Sequence, residues 1–393
     1  MSRPAASDQF DMVDLFAGPG GLDVAAKWLG ISAVGLEIDD DACMTRRAAG
    51  LPTDCVDVRS RKPEDYPGAT ILVGGPPCQT YSVAGSGAGR QRLDQVLELV
   101  RLMSKDGPDS VKGRLAELED ERTGLVLEPL AWILKALEYG RPYESVVLEQ
   151  VPTVLPLWKR YVTVLESLGY KADARILHAE EFGVPQTRRR AILIAVWGRE
   201  LAWPKPTHHR FVRGKPAPAG DDKRAWVPMA QVLGRQDEFV VVSNYGTGGK
   251  PEVRGRRFFD EPAYTVTGKV SRNRIVDLED NYLAHISIAD AGALQTFPRD
   301  YPWSGKDVSQ QIGNAIPPRL AAHVLAAAVY GARPNTAQLD AAVAGSWRDV
   351  VSGTLRVQPD AEDLPAEPRQ MDLADVERAL GRTATGSRGT RAS

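Results

Sequence analysis

Residues 11–39 read DMVDLFAGPGGLDVAAKWLGISAVGLEID, and their order admits few folds. A short apolar run (11–16) looks like a strand, and it meets a turn with three glycines in five residues, AGPGG (17–21). Residues 22–30 then carry helical spacing with Gly30 as the stop. A second strand pattern, SAVGLEID (32–39), ends in acids. A glycine turn between strand and helix lets backbone N–H groups and a helix N-terminus face a ligand. Glu37 lies at the end of the next strand, about twenty residues on, where an acid commonly holds ribose hydroxyls. Taken alone, the turn is compatible with a purely structural role, or with NAD, FAD or S-adenosylmethionine.

The same alternation continues along the chain. ATILVGG (69–75), ESVVLEQV (144–151) and RAILIAVW (190–197) read as buried strands. EPLAWILKALEYG (128–140) and LWKRYVTVLESLGY (157–170) read as helices. Short β-rich runs alternating with helical patterns predict an α/β sheet covered on both faces. From residue 198 Pro, Gly and basic residues dominate, with short β signals, which predicts a smaller loop- and β-rich domain. PPRLAAHVLAAAVYGA (317–332) returns to the style of the core. The expected organisation is a catalytic and cofactor-binding domain over 8–197, a recognition domain over 198–257 and a return to the first domain over 258–332. The remainder, 333–393, is expected to be a largely disordered tail with one short helix at 371–380.

Composition narrows the function classes. The chain of 393 residues carries a net charge of −2, but between Trp197 and Arg257 twelve Lys and Arg stand against six Asp and Glu. A basic patch in a near-neutral chain suits a polyanion, and also a plain solvated face. No apolar run is long enough to span a membrane, and the first residues lack a signal-peptide pattern. A cytoplasmic protein is expected. The three cysteines (Cys43, Cys55, Cys78) have neither disulfide nor zinc spacing. His208 and His209 are adjacent and splay apart, so no metal site is expected and a surface loop is. GTGGK (246–250) has a P-loop's glycines, but Asn244 and Pro251 stand where that motif needs Gly and Ser or Thr.

GGPPCQ (74–79) sets Cys78 behind two prolines, directly after a buried strand. Prolines fix φ, and so fix where a following side chain points. With DLFAGPGG (14–21) placed beside it, the chain resembles the cytosine-C5 DNA methyltransferases. The likeness runs in the family's order over about residues 11–330. GLEIDD (35–40), Asp57-Val58, DERTGL (120–125), LEQV (148–151), QTRRR (186–190), DEPAYTVTG (260–268), LQTFP (294–298) and QQIGNAIPP (310–318) complete it. The resemblance implies a Rossmann-like methyltransferase sheet with a smaller target-recognition domain.

It also implies roles. Cys78 would add to cytosine C6, which activates C5 toward the methyl of S-adenosylmethionine. Glu149 would contact N3 and the exocyclic amine. Arg188 and Arg190, two apart and so expected on one face, would lie near the base O2, the nucleophile loop and a DNA phosphate. The cofactor would be met by Phe16, Gly18, Gly20, Gly21, Leu22, Glu37 and Ile38. Asp57, Val58, Pro77, Asn314 and Ala315 would complete that set, with Asp57 accepting from the adenine amine. A target inside a duplex must be flipped out. The expected partners are double-stranded DNA and a cognate restriction endonuclease, with the chain acting as a monomer. RNA or a nucleotide is the alternative substrate.

Two departures from the family stand out. Gln150 replaces an Asn that braces loops, and the longer amide is expected to preserve activity. The stretch 86–119 is longer and more polar than a compact member needs, and carries a helical pattern at 93–103.

Overall fold

A computed structural model describes residues 10–77, 87–116, 124–235, 237–243 and 255–364. Its centre is a sheet of seven strands: β1 Met12–Leu15, β2 Ala33–Glu37, β3 Thr53–Cys55, β4 Ile71–Gly74, β5 Ser145–Gln150, β6 Tyr170–His178 and β7 Arg189–Trp197. Their spatial order is β3-β2-β1-β4-β5-β7-β6. β1 to β5 pair in parallel, and β7 runs antiparallel to both β5 and β6. The order reverses between β1 and β4. In open α/β sheets, ligands bind at such a switch point, beyond the carboxyl ends of the strands.

The strands are apolar on both sides because both sides are covered. Val13, Leu15, Val146, Leu148 and Leu193 pack into one core. Met12, Val147, Ile192 and Ile194 pack into the other. The first face is covered by α3 Gly87–Asp106, α5 Glu128–Glu138 and α6 Leu155–Ser167, with the short α4 Lys112–Ala116 after α3. The described part of the 86–119 stretch, 87–116, is therefore largely helix. Val96, Leu99, Val100 and Met103 of α3, at spacings of three and four, are buried against the sheet side. The second face takes α1 Gly21–Leu29 and α10 Pro318–Tyr330. α2 Asp40–Ala48 links β2 to β3.

A second sheet is antiparallel and small: β8 Val240–Val242, β9 Arg256–Phe258, β10 Arg274–Val276 and β11 Tyr282–His285, in the order β11-β10-β8-β9. It has a core of its own, with α7 Met229–Leu233 and α8 Ile288–Leu294. The boundary expected at 257/258 falls inside β9, and two further strands of this sheet lie beyond it. α9 Val308–Asn314 then leads back to α10. Among the described residues no helix is long and apolar enough to cross a membrane.

Two expectations are corrected. His208 and His209 are buried, not on a surface loop. His208 sits beside Arg319, and burial pulls its pKa down to about 3. The tail is ordered as far as it is described. α11 Thr336–Ala344 and α12 Trp347–Val351 bury Leu339, Trp347 and Val350 in the second core. Val357 N–H then donates to Trp28 O at 2.8 Å. Apolar residues are sparse here, yet Leu339, Ala342, Trp347, Val350 and Val357 all join the second core, which composition does not reveal. The helix expected at 371–380 lies outside the described residues.

Trp347 is 6% exposed and its indole N–H donates to Ala49 O at 3.2 Å. Trp347→Ala should cost about 3–5 kcal/mol, as truncating a buried tryptophan usually does. Urea unfolding should show a lower midpoint. An unchanged midpoint would mean that residues 333–364 add nothing to stability.

Candidate active site

Beyond the carboxyl ends of β1, β2, β4 and β5 lies a cavity of about 680 Å³. β1 runs into the glycine turn through Phe16, whose φ of 60° is left-handed, a conformation that costs energy for a bulky residue. Gly20 caps α1 with φ 106°. A Cβ on Gly21 would stand 2.3 Å from Ile316 O, so only glycine lets α1 begin against the Asn314–Ile316 segment.

Glu37 faces this turn across the β1–β2 pairing. Its Oε2 accepts from Gly18 N–H at 2.7 Å, and Oε1 accepts from Ile38 and Asp39 N–H, each at 2.8 Å. Such charge-assisted bonds fix the carboxylate and leave Oε2 an acceptor position toward the cavity. Ile38 is 65% exposed at the rim, while Val58 is buried. Asp57 caps the turn Val58–Ser60 and is bonded by the Arg59 guanidinium, which holds its carboxyl below the usual range. Phe16, Gly18, Gly21, Leu22, Glu37, Ile38, Asp57, Val58, Pro77, Asn314 and Ala315 all line the cavity. Gly20 does not; it lies behind the turn, where a Cβ would meet Leu51 at 2.5 Å.

The other wall is built from β5 and β7. Glu149 and Arg190 are both largely buried and form an ion pair, Nε to Oε1, at 2.6 Å. Burial draws the Arg190 pKa down from its usual value, against the pull of Glu149. The other oxygen, Oε2, points past Gly75, whose ideal Cβ would be 3.4 Å away. Gln150 Nε2 donates to Pro76 O at 2.7 Å, bracing the segment that leads to Cys78. Cys78 itself lies immediately after Pro77 and outside the described residues, as do Asp120–Thr123 and 246–250.

Arg188 and Arg190 lie on either side of the exposed Arg189, and only Arg190 reaches the cavity. Arg188 precedes β7, is fully buried and does not line the cavity. Its guanidinium donates to Val266 O (2.9 Å), Gly313 O (3.0 Å) and Ala315 O (2.9 Å). It joins the segment between β9 and β10 to the Asn314 loop. Gln186 and Gln295, also fully buried, extend this latch: Gln186 Nε2 donates to Leu294 O and Gln295 Oε1, and Val266 N–H donates to Gln186 Oε1.

The sequence reading also missed Asp14, which lines the cavity from β1 and is 1% exposed. Burial, reinforced by Asp23, raises its pKa well above the carboxylate range. Asp23 in turn is held by Arg46 through two bonds of 2.7 and 2.8 Å. A polar residue in the apolar run 11–16 is the one signal that could have marked Asp14.

The cavity's residues fit S-adenosylmethionine. A fixed carboxylate suits ribose hydroxyls, exposed apolar side chains suit an adenine face, and backbone N–H groups surround the turn.

The family described as C-5 cytosine-specific DNA methylase matches residues 10–111 and 108–213. The chain is 28% identical over 330 residues to the type II methyltransferase M.AplI of Arthrospira platensis, covering 80% of this chain and 84% of that protein. It is 27% identical over 351 residues to M1.HphI of Haemophilus parahaemolyticus, covering 79% and 84%. In fold it is similar to the Dnmt2 methyltransferase of S. pombe, with a TM-score of 0.53 at 14% identity, covering 80% of this chain and 96% of that one. With a match over more than half its length, this chain belongs to the C-5 cytosine-specific DNA methylase family.

Proposed function

We propose that the chain is a DNA (cytosine-5-)-methyltransferase that acts on a cytosine turned out of the duplex, through a covalent bond between Cys78 and C6. The observation that carries this reading is one cavity holding both halves of the chemistry. The Gly18–Glu37 cradle stands on one side and the Glu149–Arg190 pair on the other, and Pro77, the residue before Cys78 in sequence, lines the same cavity.

S-adenosylmethionine, when bound, supplies the methyl group. The thiolate of Cys78 forms the S–C6 bond, and the electron pair moves to C5. Glu149 uses Oε2 for the base edge, sharing a proton with N3 and accepting from the exocyclic amine, while Arg190 holds Oε1. After C5 is methylated, its proton leaves and the S–C6 bond breaks, which restores the ring and the thiolate. Arg188 acts at one remove, by holding Gly313 and Ala315 where the cavity wall needs them. The partner proposed is double-stranded DNA, and the setting is the modification half of a type II restriction–modification system with a cognate endonuclease. The chain would work as a monomer.

Bisulfite sequencing of a plasmid expressed with this protein in a methylation-free host tests the reading. Methylated cytosines in one short context are expected. Unmodified plasmid together with methylated cellular RNA would overturn it.

Two variants separate the roles. Cys78→Ser should lose transfer by on the order of a thousandfold or more while keeping its affinity for S-adenosylmethionine. Retained transfer would remove Cys78 from its role. Glu149→Gln should lower kcat by about 10²–10⁴, the range of general acid–base work, with little change in cofactor Kd. A loss confined to cofactor binding would place Glu149 in the wrong half of the cavity.

A further inference from the structure

The segment that follows β3 gives the cavity Val56, Asp57, Val58 and Arg59. Two carboxylates stand here three residues apart, and each has its own arginine. Asp54 accepts from Arg61 Nε at 3.1 Å and from the Tyr66 hydroxyl, and it does not line the cavity. Asp57 does line it, and so does its partner Arg59.

Arg59 holds Asp57 from two directions. Its backbone N–H donates to Oδ1 at 2.8 Å. Its guanidinium forks around the same carboxylate, with Nε 3.0 Å from each oxygen and Nη2 2.5 Å from Oδ2. The backbone beneath is fixed as well, because Asp57 O accepts from Ser60 N–H at 2.9 Å and from Ser60 Oγ at 2.7 Å. The two side chains are 28% and 43% exposed, and an ion pair in such a place adds little to stability. Its consequence is directional. A carboxylate has about four lone-pair positions. The fork fixes the carboxylate plane, and with it the direction of the acceptor positions that remain.

We propose that Arg59 is a positioning residue that makes the cavity selective for a purine bearing a 6-amino group, by holding Asp57 in the one orientation that accepts from that amine. The inference deepens the reading of the cavity as an S-adenosylmethionine site and rests on Asp57 facing the adenine. An amine donates to a fixed anion. A 6-oxo group in the same place would set one oxygen against another, and a pinned carboxylate cannot turn away from it. A carboxylate released from the fork can turn, so it loses the aligned bond to the amine and also the rejection of the 6-oxo group.

The test is calorimetric titration of the full chain with S-adenosylhomocysteine and with its 6-oxo analogue, S-inosylhomocysteine. Wild type should prefer the amine by about 10–100-fold, the worth of a hydrogen bond to a charged group. Asp57→Asn should abolish most of that preference. Arg59→Gln, which removes the fork and the charge from an exposed position, should cut the ratio by about tenfold. Arg59→Lys keeps the charge without the fork, and its ratio should fall below that of wild type. Arg59→Gln weakening both ligands equally, or Arg59→Lys keeping the full ratio, would overturn the proposal and leave Asp57 in its place. A ratio unchanged in Asp57→Asn would remove Asp57 from the adenine and overturn the proposal with it. A wild type that binds neither ligand would overturn the proposed function as well.

Discussion

The buried guanidinium of Arg188 is the contact on which the functional geometry depends. Taking such a charge out of water costs several kcal/mol unless its donors are met. Here they meet the carbonyls of Val266, Gly313 and Ala315, from two segments far apart in sequence. Gln186 and Gln295 add bonds of the same kind in the same place. The segment between β9 and β10, the loop bearing Asn314 and the start of β7 are thereby held as one piece. Once Arg188 is pinned, Arg189 and Arg190 inherit opposite directions from the strand pleat. Three consecutive arginines thus take three fates: a buried brace, an exposed side chain and a partner for Glu149.

A second buried charge fixes the opposite wall. Asp23, in the first turn of α1, is bound by Arg46 from α2, and Arg46 also bonds Thr53 Oγ1 and Pro52 O. The first helix is therefore locked to the next βα unit just where the glycine turn needs a fixed helix start. Tyr301 donates its hydroxyl to Pro19 O from the far end of the sequence. Burial, reinforced by Asp23, raises the pKa of Asp14 in the cavity lining, which disfavours a second negative charge beside Glu37.

Much of this was legible in the sequence because it is local. Strands buried on both faces read as continuous apolar runs, and the glycine turn announces a strand-to-helix junction. What stayed hidden depends on partners distant in sequence. β6 was not read as a strand, and its first residue was counted into the preceding helix, because Tyr170–His178 mixes polar and apolar residues at a sheet edge. The ordered stretch 333–364 has too few apolar residues to signal a fold, and its order comes from α1 and α10. The two-residue spacing of Arg188 and Arg190 suggested one shared face. The spacing does not reveal that Arg188, just ahead of the strand, is spent on the carbonyls of Val266, Gly313 and Ala315 and does not reach the cavity.

Gln150 shows how a departure from a family pattern can be absorbed locally. β4 and β5 are parallel, with Gly74 opposite Leu148, so Pro76 lies opposite Gln150 as the strands run on. The amide donates to Pro76 O at 2.7 Å, and its oxygen accepts from Val151 N–H. Both ends of the side chain are therefore spent on backbone, one strand to each. The extra methylene relative to Asn lengthens the reach across the strand gap without changing the donor and acceptor that the position supplies. The two prolines ahead of Cys78 constrain φ only at their own residues. A tether on the carbonyl of the first proline is what relates that stiff segment to Glu149, the neighbour of Gln150 on β5. The position of Pro76 relative to Glu149 then follows from one hydrogen bond between adjacent strands.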